Sequence, residues 1–379
     1  MTTMPKILCI NPRGAGDLHE LRARRLTEGL QAEVVFYNID RAQSYPAAMR
    51  SLWRRINSDQ WDLIYQEGTG IAAGLNVIGA SLVRKQKFIV SSGDPIGGFF
   101  HVTRGPLAGF LFGLYERLLY RASSGFVGWT PYLTGAALTM GAKRGATVEG
   151  AVALDTFVPY PPSDRVRLKN QFGLDPSHLV CGVVGSLRWT PRQSYCYGLE
   201  LVETLKQLRR PDVSVLIVGD GTGRSYLEKR IPGALRSRVV FTGRLSEADV
   251  VGAINAMDIG FITQTLDGLG NFRLTTKLPE YLACGVPVAM SPVPGFYDYA
   301  SLAGWPLPPF HPAAREFHER CAAWLERLGP KEIAEKASSA RTVACQSFDY
   351  EILRSRFQEF VMSLLNDNSR PASGRGRGE

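Results

Sequence analysis

Residues Leu179–Arg192 read LVCGVVGSLRWTPR. Six apolar or glycine positions in a row, with no alternation, make a strand that is buried on both faces. Such strands belong to parallel sheets covered by helices. The run ends at Gly185 and opens into a loop carrying Arg188 and Arg192. Towards the C-terminus the same pattern repeats: helix Tyr197–Leu208, strand Val213–Gly219, helix Gly223–Ile231, strand Val239–Thr242, helix Glu247–Ala256, strand Ile259–Thr263, helix Lys277–Cys284 and strand Val286–Met290. Helices follow at His318–Leu328, Pro330–Gln346 and Tyr350–Leu365.

Towards the N-terminus a Pro-rich stretch, Val158–Ser163 (VPYPPS), separates this series from an earlier one. There Lys6–Ile10, Glu33–Tyr37, Trp61–Gln66, Lys87–Ser91 and Gly125–Trp129 read as strands. Helices are expected over Leu18–Leu30, Ala47–Ile56, Ile71–Arg84 and Gly105–Arg121. Strands alternating with helices predict an α/β fold of two Rossmann-like parallel-sheet domains, facing one another across a central cleft. The expected boundaries are 1–160 and 161–345, then a C-terminal helix over 346–365 that packs back on the first domain. The Gly/Ser/Arg-rich tail 366–379 is expected to be disordered.

The chain has 379 residues, with 44 Lys+Arg against 35 Asp+Glu, a net charge of +9. The excess is spread over both halves and forms no dense stripe, which argues against nucleic acid. It suits phosphate-bearing small molecules or an anionic membrane surface. The six cysteines lie far apart, with no C-x-x-C pair and no Cys/His cluster, so reduced buried thiols in a cytoplasmic protein are expected and a metal site is not. With Met4-Pro5-Lys6 leading straight into the first strand pattern, a signal peptide is not expected. The apolar stretch Gly105–Tyr115 falls short of the roughly 20 residues a bilayer span requires. Its helix reads preferentially as a core helix covering the sheet. The other reading is a membrane-dipping surface flanked by Arg104, Arg117 and Arg121.

In open α/β sheets ligands bind where strands end, so the loops there were read for chemistry. Gly14-Ala15-Gly16 and Gly219-Asp220-Gly221-Thr222-Gly223 each permit close backbone approach to a phosphate or sugar. Both fail the dinucleotide fingerprint, because His19 and Arg224 stand where a third glycine belongs. Arg188 and Arg192 present planar donor forks matched to a diphosphate, or are incidental loop arginines. The most specific stretch is Arg273–Ala289 (RLTTKLPEYLACGVPVA), where Lys277 opens a short helix and Glu280 follows one turn on.

Taken together, GSLRWTPR, LIVGDGTGRSYLEKRI, VVFTGRLSEADVVGAINAMDIGFI and TTKLPEYLACGVPVAMSPVPG resemble the donor-binding half of GT-B glycosyltransferases, most closely the retaining GT4 group. The resemblance implies a nucleotide-sugar co-substrate, UDP- or GDP-linked, with no resident cofactor. It implies that Glu280 binds the ribose and that Lys277 and Arg188 or Arg192 lie at the phosphates. The segment with Gly243 and Leu245 would cup the base, and Gly14, Gly16 and Gly219 would approach the donor. Three positions depart from the pattern, one of them after the strand Phe88–Ser91, where many members have a histidine and this chain has Ser92-Gly93-Asp94. Tyr197 replaces a lysine, for which Arg192 or Arg273 would compensate. Phe272 replaces a glutamate, whose sugar contacts would fall to Asp267, Asn271 or the backbone of Gly268–Gly270.

On this reading Arg188 and Lys277 stabilise the leaving diphosphate, and no Asp-x-Asp metal motif is present. If configuration is retained, the leaving phosphate takes the acceptor's proton. Asp94 is then the best-placed ionisable group in the loop after the fourth strand. Glu67, His101 and Trp129 are acceptor-side candidates; Glu67 and Asp94 read equally as loop carboxylates capping the next helix, and His101 as a loop or helix-start histidine. The expected acceptor is a glycan, a lipid-linked sugar or a small molecule, met in the cytoplasm or at the inner membrane face. A catalytically silent scaffold of the same fold and a sugar-nucleotide 2-epimerase are the alternatives.

Overall fold

A computed structural model describes residues 4–366 except Arg13 and Arg41; the tail expected to be disordered lies outside the described residues from position 367. The elements in chain order are β1 (Lys6–Asn11), α1 (Leu18–Thr27), β2 (Glu33–Asn38), α2 (Tyr45–Asn57), β3 (Leu63–Glu67), α3 (Ile71–Arg84), β4 (Phe88–Ser92), α4 (Ile96–Arg104), α5 (Pro106–Ala122), β5 (Gly125–Gly128), α6 (Pro131–Thr139) and β6 (Gly145–Thr147). The second series runs α7 (Pro162–Gln171), β7 (Leu179–Val184), α8 (Leu199–Gln207), β8 (Val213–Val218), α9 (Arg224–Glu228), β9 (Val239–Gly243), α10 (Glu247–Asn255), β10 (Ile259–Ile262), α11 (Lys277–Ala283), β11 (Val288–Met290), α12 (Pro294–Tyr299) and β12 (Gly304–Pro306). It closes with α13 (Arg315–Arg327) and α14 (Pro330–Ser347), and α15 (Tyr350–Asn366) follows.

The chain folds as two compact units: residues up to Glu149 together with those from Tyr350 on, and Gly150–Asp349. Each unit holds a six-stranded, all-parallel sheet, as the unalternated apolar runs require. The strand orders are β2-β1-β3-β4-β5-β6 and β12-β11-β10-β7-β8-β9. Each order reverses direction once, between β1 and β3 in the first unit and between β7 and β10 in the second. Loops on either side of such a reversal diverge and leave room beyond the strand ends, the usual place for a ligand.

The junction lies upstream of the Pro-rich stretch. Val152 bridges to Asp349, and Phe157 already belongs to the second unit's core beside Leu278, Tyr281 and Phe348. The Pro-rich stretch starts a helix, α7, with Pro162 in its first turn. Only Lys169 of this helix is buried, held at 2.7 Å by Asp258, so it carries no apolar periodicity to read. In the first unit α15 packs on α1. Arg354 donates to the Arg25 carbonyl at 2.8 Å, and the Phe357 ring lies 4.9 Å from that of Tyr65.

The preferred reading of Gly105–Arg121 as a core helix is corrected. Of α5 only Gly109, Glu116, Leu119 and Tyr120 are buried. Leu107, Phe110, Leu111, Leu114 and Leu118 are all more than half exposed and recur at helical spacing on one face, with Arg117 and Arg121 exposed among them. The inward face is small because α4 lies against it. Gly109 backs onto His101, and Gly97 faces Gly113 so closely that a Cβ on Gly97 would stand 3.1 Å from the Gly113 Cα. The Glu116 carboxylate accepts from the amides of Ile96 and Gly97 at 2.9 and 3.0 Å, which caps the start of α4. Among the described residues no helix is long and apolar enough to cross a membrane.

Candidate functional site

The second unit's reversal is built on glycine. Gly185 ends β7, Gly219 follows β8 and Gly243 ends β9. The Gly219 amide donates to the Gly243 carbonyl at 2.9 Å. Gly219 has φ +132°, and a Cβ there would stand 1.9 Å from the Gly185 carbonyl oxygen. Only glycine lets these strand ends approach so closely. A Cβ on Gly185 would in turn meet the Tyr197 ring at 2.9 Å and the Lys277 side chain at 3.2 Å. Lys277 therefore lies over the end of β7, its Nζ 3.9 Å from the centroid of the Tyr197 ring. Lys277 and Arg273 together hold the Tyr197 phenol below its ordinary pKa, with the Lys277 charge the larger cause. Where the resemblance led us to expect a second lysine, an aromatic platform carries the first one.

Beneath this platform lies a polar knot. The Glu200 carboxyl, buried at the start of α8, is hydrogen bonded by the Tyr195 hydroxyl at 3.0 Å, the Thr263 hydroxyl at 3.2 Å and the Gly198 amide at 3.0 Å. Burial pushes its pKa up to about 7, against the pull of these donors. Glu280 stands one turn beyond Lys277. Burial raises it too to about 7, while Lys277 and the Thr276 side chain draw it down.

Arg188 and Arg192 stand exposed in the loop after β7, and among the described residues neither pairs with a carboxylate. Asn271 is half-buried, its amide donating to the Asp267 carbonyl at 3.1 Å. Leu245 packs on the core below β9. Among the described residues no three His, Cys, Asp or Glu side chains gather as a metal site. The cysteines are free, all buried but the half-buried Cys345.

At the first unit's reversal, Gly16 takes φ +79° and its amide donates to the Glu20 carboxylate at 2.7 Å. The Asp17 side chain caps α1 through the His19 amide. Gly14 is half-buried and open around its Cα. Asp94 lies after β4, its backbone amide and carbonyl both bonded to the Ser92 hydroxyl.

Three acceptor-side expectations change here. Trp129 is 7% exposed, with the Arg22 guanidinium 4.6 Å from its ring centroid, and a Cβ on Gly93 would stand 2.8 Å from the same ring. Its ring is packed within the first unit against these two residues. Glu67 is fully buried, so it contacts no ligand directly. His101 lies in the last turn of α4, exposed, its Cβ packed on Gly109. Each had been placed by distance from a strand end along the sequence, which does not tell which side chains turn inward.

Residues 178–326 match the family model described as Glycosyl transferases group 1. The matched segment lies within the second unit and spans less than half of the chain. It holds Gly185, Arg188, Arg192, Tyr197, Glu200, Lys277 and Glu280, the cationic strand end just described. Over 154 residues, 38% of this chain and 40% of the relative, the chain is 29% identical to the lipopolysaccharide core biosynthesis mannosyltransferase LpsB of Rhizobium meliloti (strain 1021). It thus matches less than half the length of that relative. Among solved structures it is similar to Anabaena Alr3699/HepE in complex with UDP and glucose, at 19% identity and a TM-score of 0.71, covering 95% of this chain and 100% of that one. It is also similar to the sucrose-phosphate synthase of Thermosynechococcus elongatus, at 14% identity and a TM-score of 0.70, covering 96% and 100%. The two parallel six-stranded units are those of the GT-B fold.

Proposed function

We propose that the chain transfers a sugar from a nucleotide sugar, UDP- or GDP-linked, to a glycan or lipid-linked hydroxyl, without a metal ion and with retention of configuration. The observation that carries this reading is the cationic end of β7 inside the matched segment. Lys277 rests on Tyr197, burial raises the neighbouring Glu200 carboxyl to a pKa of about 7, and Arg188 and Arg192 stand exposed in the strand's exit loop. As the glycosidic bond breaks, negative charge collects on the departing diphosphate, and fixed cations lower the barrier by stabilising it there. The departing phosphate then takes the acceptor's proton, which asks no separate base of the protein. Glu280 accepts hydrogen bonds from the ribose, and Asn271 with the backbone of Gly268–Gly270 serves the transferred sugar. UDP in the complex of the Anabaena neighbour supports the donor class.

The exposed apolar face of α5, with its arginines, supports docking at the inner surface of a membrane where a lipid-linked acceptor resides. The test is nucleotide release from a panel of UDP- and GDP-sugars with cell extract as acceptor. Lys277→Ala and Glu280→Ala should each lower turnover roughly 100-fold, the scale on which a lost electrostatic contact acts, with circular dichroism unchanged. Release of UDP without any acceptor, together with interconversion of the sugar, would instead mean an epimerase. No release from any donor would mean a silent scaffold.

A further inference from the structure

His19 stands at the first unit's reversal, between β1 and β3. Its amide is held by Asp17 at 2.9 Å, and its ring edge lies over Gly68, which turns with φ +76°. The ring's Nδ1 is buried and has no hydrogen bond at normal length; the Glu67 Oε1 faces it at 3.6 Å, an ion-pair distance. Its Nε2 has no hydrogen-bond partner among the described residues, and 24% of the side chain remains in solvent.

Glu67 is locked from the other side. Its second oxygen accepts from the Tyr65 hydroxyl, the Ser91 hydroxyl lies 3.4 Å from the first, and the Arg22 Nε lies 3.7 Å from it. Arg22 is fully buried, its two terminal nitrogens donating to the carbonyls of Val148 and Glu149 at 2.7 Å each. Burial alone would raise the Glu67 pKa, but His19, Arg22 and Tyr65 together bring it below the ordinary value, so the carboxylate is an anion. Among the described residues the charged group facing the imidazole is Glu67 from β3, whose same oxygen Arg22 approaches; Glu20 is engaged with Arg24.

An anionic acceptor beside Nδ1 fixes the proton there and leaves the lone pair on Nε2, facing solvent. A group so poised accepts hydrogen bonds from hydroxyls and offers nothing to a phosphate. We propose that His19, held in this tautomer by Glu67, binds a sugar hydroxyl of the acceptor other than the attacking one. Glu67 is the positioning residue. The proposal rests on the transfer reading above, because that reading supplies a hydroxylated acceptor and sends the attacking proton to the diphosphate.

The tautomer is read first, from nitrogen-15 imidazole spectra of the full chain. The wild type should show Nδ1–H with Nε2 unprotonated, and Glu67→Gln should show a mixture. Titration with methyl α-D-mannopyranoside and methyl β-D-glucopyranoside should shift the His19 Nε2 signal, and inorganic phosphate should not. In turnover with cell extract as acceptor, His19→Ala should raise the acceptor KM about tenfold, the worth of one hydrogen bond. UDP affinity should stay within about twofold. His19→Gln, which keeps an acceptor oxygen at the same reach, should restore the KM. An Nε2–H tautomer in the wild type, or an unchanged acceptor KM in His19→Ala, would overturn the proposal. Inactivity towards every donor would sink the transfer reading, while the spectrum and the glycoside titration still decide the dyad.

Discussion

Glu200 is a carboxyl whose native pKa, about 7, stands well above the 4.5 of a free glutamate because the fold buries it. Between these two values the unfolded chain is ionised there while the native chain holds a proton. Unfolding therefore releases a proton, and stability falls as pH rises. The contribution is whole below pH 4.5 and lost as pH climbs through 7. A displacement from 4.5 to about 7 corresponds to about 3 kcal/mol. Glu200→Gln keeps the shape and still offers an oxygen to the Tyr195 hydroxyl and the Gly198 amide, but cannot ionise. Urea unfolding of both proteins, followed through protection of the β7 and β8 amides, should show the variant gaining about 3 kcal/mol relative to the wild type between pH 4.5 and pH 8. Other carboxylates cancel in the difference. Parallel pH curves would refute the idea that a buried, neutral Glu200 underlies the cationic platform.

The remaining predictions concern packing and surface. Gly219→Ala must push a methyl group against the Gly185 carbonyl at a backbone angle that side chains avoid. It should cost at least about 2 kcal/mol in urea, and a smaller loss would mean these strand ends tolerate separation. Arg22→Met removes the counter-charge of Glu67 and strands two carbonyls. About 3–5 kcal/mol should disappear from thermal stability at pH 7, whereas an unchanged melting temperature would mean that Glu67 is neutral. Leu111→Asp with Leu114→Asp should lower flotation with phosphatidylglycerol vesicles at least tenfold at unchanged circular dichroism. Equal flotation of the two proteins would remove α5 as the membrane face.

Fold class was legible because the buried strands, such as Leu179–Val184 and Val213–Val218, announce themselves by runs without alternation. What escaped reading was short, polar or locally ambiguous. β6 and β12 are three-residue edge strands. α7 is held by ion pairs and α4 by a glutamate twenty residues away. The cationic site was legible where chain-local chemistry writes it, at Lys277, Glu280 and the arginine loop. Its supporting layer was not, because Tyr195, Glu200 and Thr263 meet only once β7 and β10 are neighbours. His19 was noticed only for spoiling a glycine fingerprint. A hint was available in Tyr65-x-Glu67, two polar groups on one face of a fully buried strand, since buried polar groups need partners. The exposed face of α5 was misjudged because apolar spacing tells that a stripe exists and not what covers it.

The polypeptide leaves its first unit at Glu149 and returns to it at Tyr350. During synthesis, the sheet begun by Lys6 therefore waits about two hundred codons for the segment that seals α1 and Tyr65. The later-made unit is free to mature first. Ribosome-bound intermediates should thus display an unfinished amino-terminal half, a natural client for chaperones. Any truncation before Tyr350 would perpetuate that state, however faithfully it followed the visible boundary in the chain.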